Sequence, residues 1–367
     1  MRCVRLTKSR SPQIQSKFDS IPGAQLVKYS VGIDLGGTKV ESGLFNSKGQ
    51  RLASTRQELH EIYSREDSVK NQQKRLCQAI CKQIISLQSQ LSRHDVCIGW
   101  GLASAGPVDV LRRELVNPAN FPGWKRWSIA RQLEQTWRQM SRESIAIRFQ
   151  NDAMAAALGE AWVGQAQGTH TSLAITLGTG VGTGVILNGQ PAQTQGCGAE
   201  WGHMLIASLC GSSARPRPLR HLSVEAFASG TGMKRRAQEL GLDRIGCMGC
   251  KSPADIFAMR KSTKHSAKQV RNAQEITDDL SRALASLLFN LSLGFAPEVI
   301  TLSGGLLQAR GEFLSSSLKL YRSWIREFGS QFLAKVYVSR LENAVLVGAG
   351  SLPWRLKKSE SQAKPSH

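Results

Sequence analysis

No apolar run in this chain approaches the roughly 18 residues that a helix needs to cross a bilayer, which argues against a membrane span. The first thirty residues also lack the apolar centre of a secretory signal. They are rich in Ser, Lys and Arg with a single acid, Asp19, and residues 1–28 read as a basic flexible extension. Eight cysteines are scattered, several inside apolar runs, so there is no disulfide framework and a cytoplasmic location is expected. Acids are the other shortage: 27 Asp and Glu stand against 48 Lys and Arg, a net charge of +21. The cations are dispersed through Lys70–Arg75, Lys125–Arg148, Arg215–Arg220, Lys234–Arg236, Lys251–Arg271 and both tails. They read as a solvated basic surface that attracts anionic nucleotides, and no nucleic-acid partner is expected. What remains is ordinary for a globular chain of two domains: 367 residues, 41% hydrophobic and 20% charged.

The most informative stretch is 173–184, LAITLGTGVGTG, an apolar run ending in alternating glycines. It predicts a buried strand entering a turn whose backbone comes close to a ligand; Gly178, Gly180, Gly182 and Gly184 leave N–H groups free to point at one anion. A steric turn with no ligand is the alternative. A second copy favours the ligand: Val31–Phe45 (VGIDLGGTKVESGLF) lies over Leu173–Leu187 (LAITLGTGVGTGVIL), matching Ile33, Leu35 and Gly36 with Ile175, Leu177 and Gly178. The repeat predicts two related α/β lobes, each offering a phosphate-binding hairpin to the cleft between them.

In chain order, Asp34-Leu-Gly-Gly-Thr-Lys39 sets a carboxylate beside the first turn, where it can hold Mg²⁺ through a water while Thr38 and Lys39 meet phosphate oxygens. Leu76, Ile80, Ile84, Leu87 and Leu91 have helical spacing within 66–92, and Cys77 and Cys81 on that helix read as small core residues rather than metal ligands. A strand is predicted at Val96–Leu102. The loop Asn117-Pro-Ala-Asn-Phe-Pro-Gly-Trp124 offers two amides and an indole of the kind that flank a sugar, although loop amides are usually turn formers. After a strand at Ile145–Phe149, Asn151-Asp152 opens a helix, with Asn151 as cap and Asp152 placed to act as a general base.

Further on, Glu200 and His203 can both bond a polyol, or either can be a satisfied structural group, and the sequence does not rank these. An irregular basic loop at 208–220 leads to a helix over Ser223–Gly230 that carries Glu225. Cys247-Met-Gly-Cys250 has the spacing of half a zinc knuckle and reads as incidental. A helix over Ile276–Gly294 ends at Gly294 and Pro297, a strand at Val299–Leu302 enters the third glycine turn, Ser303-Gly304-Gly305, and Gly348-Ala-Gly350 begins a last small-residue helix. Residues 357–367 read as a disordered tail.

The order of these motifs over residues 29–353 resembles the ROK family of bacterial sugar kinases, a glucokinase-like branch of the actin-like ATPase superfamily. The resemblance implies an α/β, two-lobed actin-like ATPase (ribonuclease H-like) fold with its active site in the interlobe cleft. The small lobe would span 29–150, completed by a C-terminal helix near 343–356, and the large lobe 151–342. Asp34, Gly36, Gly37, Thr38 and Lys39 look like the family's first phosphate motif, Gly178, Thr179, Gly180 and Gly182 like the second, and Gly304 and Gly305 like the adenosine motif. Asp152 would be the catalytic base, with Asn120, Asn151, Glu200, His203 and Glu225 holding sugar hydroxyls. The implied reaction is ATP-dependent phosphorylation of a hexose, glucose foremost, with Mg²⁺ near Asp34. N-acetylglucosamine, N-acetylmannosamine or fructose are alternative substrates. The family's habit implies a homodimer or homotetramer.

One departure concerns zinc. The family pattern CxCGxxGCxE supplies three cysteines beside the histidine, whereas this chain reads MLIASLCGSSARPRPLRHLSV between His203 and Glu225, with Cys210 alone and Ser223 at the last cysteine position. A lone thiol cannot build a tetrahedral site, so no zinc is expected and the order of the loop is in question. Family repressors carry a winged-helix domain ahead of the first phosphate motif. The 28 residues here are too few for one, which points to a kinase, with a catalytically weak sugar-sensing regulator as the other reading.

Overall fold

The computed structural model describes residues 26–192, 199–206, 221–242 and 252–355. The terminal extension through residue 25, the basic loop 208–220, the tail 357–367 and Cys3, Cys197, Cys210, Cys247 and Cys250 lie outside those residues.

Val31, Ile33, Leu35, Val40 and Leu44 of the first two strands are fully buried, whereas the third strand is exposed or half-buried. β1 (Lys28–Leu35), β2 (Lys39–Asn46) and β3 (Arg51–Glu58) form an antiparallel meander, followed by the single turn α1 (Leu59–Ile62) and by α2 (Val69–Gln88). Leu76, Ile80, Ile84 and Leu87 of α2 are fully or almost fully buried. Cys77 and Cys81 share that apolar face, and burial pushes the Cys81 thiol up to about 12. β4 (Val96–Ser104) then pairs with β1 in parallel. A small ribbon of β5 (Val108–Asp109), β6 (Glu114–Val116) and β7 (Arg126–Trp127) precedes α3 (Ile129–Ser141), β8 (Ile147–Asn151) and α4 (Asp152–Val163).

The second half repeats the plan with β9 (Ser172–Leu177), β10 (Val181–Leu187) and β11 (Gln190–Pro191), then α5 (Val224–Ala228), α6 (Gly230–Glu239), α7 (Pro253–Arg260) and α8 (Ala267–Phe295). β12 (Val299–Ser303), α9 (Leu314–Phe328), β13 (Lys335–Val338) and α10 (Ala344–Ser351) complete it. The two five-stranded sheets have the orders β3-β2-β1-β4-β8 and β11-β10-β9-β12-β13. In both, the first three strands are antiparallel and the last two join in parallel. The repeat seen in sequence is therefore a repeat of topology. Its ungapped match needs one correction. Leu35 pairs with Val40 but Leu177 with Val181, so the second turn is one residue shorter and Val181, not Gly182, is the counterpart of Val40.

Two helices join the lobes. α4 leaves the first sheet and packs on β9 and β10 of the second, while α10 leaves the second and packs on β1 and β4 of the first. They cross at such short range that a Cβ on Gly348 would stand 1.6 Å from the Ala155 carbonyl oxygen. Gly348 is thus interior to α10, which begins at Ala344 behind the N-cap Asn343; the helix was expected to start at Gly348.

Three further boundaries differ from expectation. α8 starts at Ala267, since a Ser266–Gln269 capping box nucleates two polar turns that no apolar periodicity announces. It ends at Ala296 in the left-handed region (φ 44°), with Gly294 still helical. The helix expected over Ser223–Gly230 is split, because Ser229 is extended between α5 and α6. Among the described residues no helix is long and apolar enough to cross a membrane.

Candidate active site

A cleft of about 830 Å³ is lined by both glycine turns and by the start of α4. Gly36 and Gly37 line it from the first turn, Gly178, Thr179 and Gly180 from the second, Gly182 from the start of β10, and Gly304 from the end of β12. Of the four alternating glycines, only Gly178 and Gly180 form the turn. Gly182 and Gly184 lie inside β10 and make room for α4; a Cβ on Gly184 would meet the Ala153 carbonyl at 2.4 Å.

Asp152 and Asn151 stand at the mouth of the β8–α4 junction on the cleft wall. Asn151 Oδ1 caps α4 by accepting from the N–H groups of Ala153 (2.9 Å) and Met154 (3.2 Å). The Asp152 carboxyl is pushed up by burial, opposed by the Ala153 N–H that it accepts at 2.7 Å. No described Lys or Arg pairs with it.

Glu200 and His203 face the same space from a 3₁₀ turn at Trp201–His203. Thr183 Oγ1 holds that turn by donating to the Ala199 carbonyl and accepting from Trp201 N–H at 3.1 Å. Burial raises the Glu200 carboxyl, His203 opposes this, and the charges of Asp152 and Glu225 add to it. The acids thus sense one another across the cleft. Glu225 at the start of α5 accepts from Val181 N–H at 2.8 Å.

Asn120 lies on the cleft wall from the 117–124 loop, packed against Gly37, where a Cβ would come within 2.8 Å of Asn120 Cβ. Trp124 does not share this position. It is buried, stacks on Phe121 with ring centroids 4.5 Å apart, and its indole donates to Gln72 Oε1 at 2.8 Å, so it supports the loop from beneath. Four predicted residues are off the wall. Thr38 is at the turn, its carbonyl accepting Leu59 N–H, Lys39 begins β2, and Gly305 opens a 3₁₀ turn at Gly305–Glu312. Asp34 lies at the base, where burial lifts its carboxyl to about 6.

Sequence reasoning missed Asn343, which donates from Nδ2 to Asp34 Oδ2 at 3.0 Å and to Glu41 Oε2 at 3.1 Å. Its only sequence signal was an N-cap residue ahead of the last helix. It also missed Thr183, which reads there as one more residue of an apolar strand.

The zinc set of the resemblance does not fit the residues present. Ser223 is the N-cap of α5, its Oγ accepting Ala226 N–H at 3.3 Å. The arms bearing His203 and Glu225 are instead joined by backbone: Ile206 N–H donates to Leu222 O (2.8 Å) and Val224 N–H to Met204 O (2.9 Å) around a Leu205–Ser223 bridge.

The profile of the ROK family matches residues 30–354. A glucokinase of Thermotoga maritima is 28% identical over 302 residues, 79% of this chain and 85% of that one. An N-acetyl-D-glucosamine kinase of Photobacterium profundum is 25% identical over 334 residues, covering 88% and 96%. Among solved structures, a ROK hexokinase from Thermus thermophilus superposes with a TM-score of 0.71 at 26% identity, over 90% of this chain and 99% of that one. A ROK glucokinase from Streptomyces griseus, in complex with glucose and AMPPNP, gives 0.62 at 26% identity over 88% and 98%. With the doubled sheet topology, these likenesses establish that the chain belongs to the ROK family and has the actin-like ATPase fold.

Proposed function

We propose that the protein phosphorylates D-glucose at its 6-hydroxyl with ATP, using Asp152 as general base. One observation carries this reading: Asp152, both glycine turns, Asn120, Glu200, His203 and Glu225 all line a single cleft. In-line transfer needs a base on the attacking hydroxyl, a phosphate cradle behind the phosphorus and little else. Asn151, Asp152 and the four outlying side chains would bind the hexose hydroxyls. Gly36, Gly37, Thr38, Lys39, Gly178, Thr179, Gly180 and Gly182 would hold the phosphates, with Gly304 and Gly305 against the adenosine.

Asp152 would accept the hydroxyl proton as the oxygen attacks. Its raised affinity for a proton suits that task, since an ordinary carboxylate is a weak base near neutral pH. Asp34 fits a cation: burial and the Asp152 charge lift its carboxyl against the Asn343 hydrogen bond and the Lys39 charge, and no described Lys or Arg lies within ion-pair distance of it. It would hold Mg²⁺ through a water, and the ion would reduce the negative charge on the phosphates. Closure of the lobes would exclude water and so suppress ATP hydrolysis. The lobes would divide as 29–150 with the last helix, and 151–342. The family implies a cytoplasmic homodimer or homotetramer.

ADP release from MgATP, measured over a panel of glucose, fructose, N-acetylglucosamine and N-acetylmannosamine, tests the reading. Glucose-dependent release that falls by about 10³-fold or more in Asp152→Asn is expected. Stronger release with an acetylated amino sugar or fructose would reassign the substrate. A folded protein with no sugar-dependent release would overturn the reading in favour of a sugar-sensing regulator.

A further inference from the structure

We infer that Glu225 masks the second phosphate turn until a sugar draws it away, so that sugar binding opens the nucleotide site. The inference rests on the proposed role of Glu225 as a sugar ligand.

The turn Gly178-Thr179-Gly180 is held on its carbonyl side by α6: Gly230 N–H donates to Gly178 O at 2.8 Å and Thr231 N–H to Thr179 O at 3.3 Å. Gly178 N–H closes the turn onto Gly180 O at 3.0 Å. Among the described residues, the N–H groups of Thr179 and Gly180 meet no acceptor. The next donor, Val181 N–H, is already taken by Glu225 Oε2 at 2.8 Å. The carboxylate lies over the turn because position 180 is glycine; a Cβ there would stand 2.5 Å from the same oxygen. Consecutive N–H groups of this kind form an anion-binding concavity, and here a side-chain anion sits on its rim.

A terminal phosphate and the Glu225 carboxylate cannot share Val181 N–H, and their charges repel at short range. Sugar hydroxyls offer the carboxylate donors of their own. When Glu225 turns to them, Val181 N–H is released and the turn gains its third donor. The same contact weakens nucleotide binding when no acceptor sugar is present, which limits transfer to water.

The test is calorimetric binding of AMPPNP with Mg²⁺, without sugar, to the full chain and to Glu225→Ala and Glu225→Gln. Removing the carboxylate is expected to tighten AMPPNP by roughly ten- to a hundredfold, the factor of one charge-assisted hydrogen bond. Glu225→Gln, which keeps the bond and loses the charge, should fall between, and it serves if Glu225→Ala fails to fold. Adding glucose to the unmodified protein should give a similar tightening, and to Glu225→Ala less than a twofold change. AMPPNP binding that does not tighten in either variant overturns the inference. ADP release over the sugar panel separates the two readings. Release with a hexose but no tightening leaves the kinase and removes the mask. Tightening with no sugar-dependent release supports the mask, while the sugar trigger and the proposed function both fail.

Discussion

Asn343 and Asp34, 309 residues apart, meet at 3.0 Å, and the same amide nitrogen reaches Glu41 at 3.1 Å. The amide has no freedom to flip, since its oxygen accepts Leu346 N–H at 3.0 Å as the cap of α10. One side chain thus starts the helix that joins the lobes and holds the Asp34 carboxylate two residues ahead of the first glycine turn.

Asn343→Ala removes the cap and leaves two carboxylates without their shared donor. A stability loss of about 1–3 kcal/mol is expected from the cap and the lost bonds together, read as a lower urea midpoint. The KM for MgATP should rise more than that for sugar, because Asp34 rather than the sugar pocket loses its support.

The Asp34 carboxyl is raised from 3.8 to about 6, chiefly by burial. A raised carboxyl favours the protonated folded state, so its stabilising contribution is full below its unfolded value and is lost as pH rises through about 6. Asp34→Asn should therefore have a higher Tm than the parent at pH 8, with the gap narrowing by pH 4 to 5. Its Mg²⁺-dependent turnover should be nearly abolished. In the parent, turnover should fall as pH drops through about 6, since the ion needs the carboxylate. An equal Tm gap at pH 4 and pH 8 would refute the assignment.

Gly348→Val places side-chain atoms where even a Cβ would lie 1.6 Å from the Ala155 carbonyl. Backbone cannot yield as a side chain can, so α4 and α10 must separate. A loss of about 3 kcal/mol or more is expected in chemical denaturation, with activity falling alongside because α4 carries Asp152 and the cap of α10, Asn343, bonds Asp34.

Thr183→Val removes the hydroxyl that holds Ala199 and Trp201. The Glu200–His203 turn should loosen, and the sugar KM should rise by roughly tenfold, the factor of one or two hydrogen bonds. AMPPNP affinity should be unchanged. Equal loss at both substrates would show a general packing defect instead.

Much of this was legible in the chain. Apolar runs ended by glycines announce strand–turn–strand units, because a buried strand needs β-branched or leucine side chains and a tight turn tolerates little else. Repetition of that pattern reported two like lobes, and Asn151-Asp152 after an apolar strand reported a capped helix mouth. These are local effects, set by a few neighbouring residues.

The rest depended on residues far apart in sequence. Nothing near Gly184 says that its missing side chain serves α4 rather than a phosphate. Nothing near Trp124 says that its indole turns inward to Gln72, 52 positions away. Asn343 became part of the site only when α10 crossed back onto the first sheet, and Glu225 met Val181 only when α5 docked beside β10. Local propensity determines which elements form. Which donor meets which acceptor is decided by packing, since buried polar groups bond to whatever the fold brings within about 3 Å.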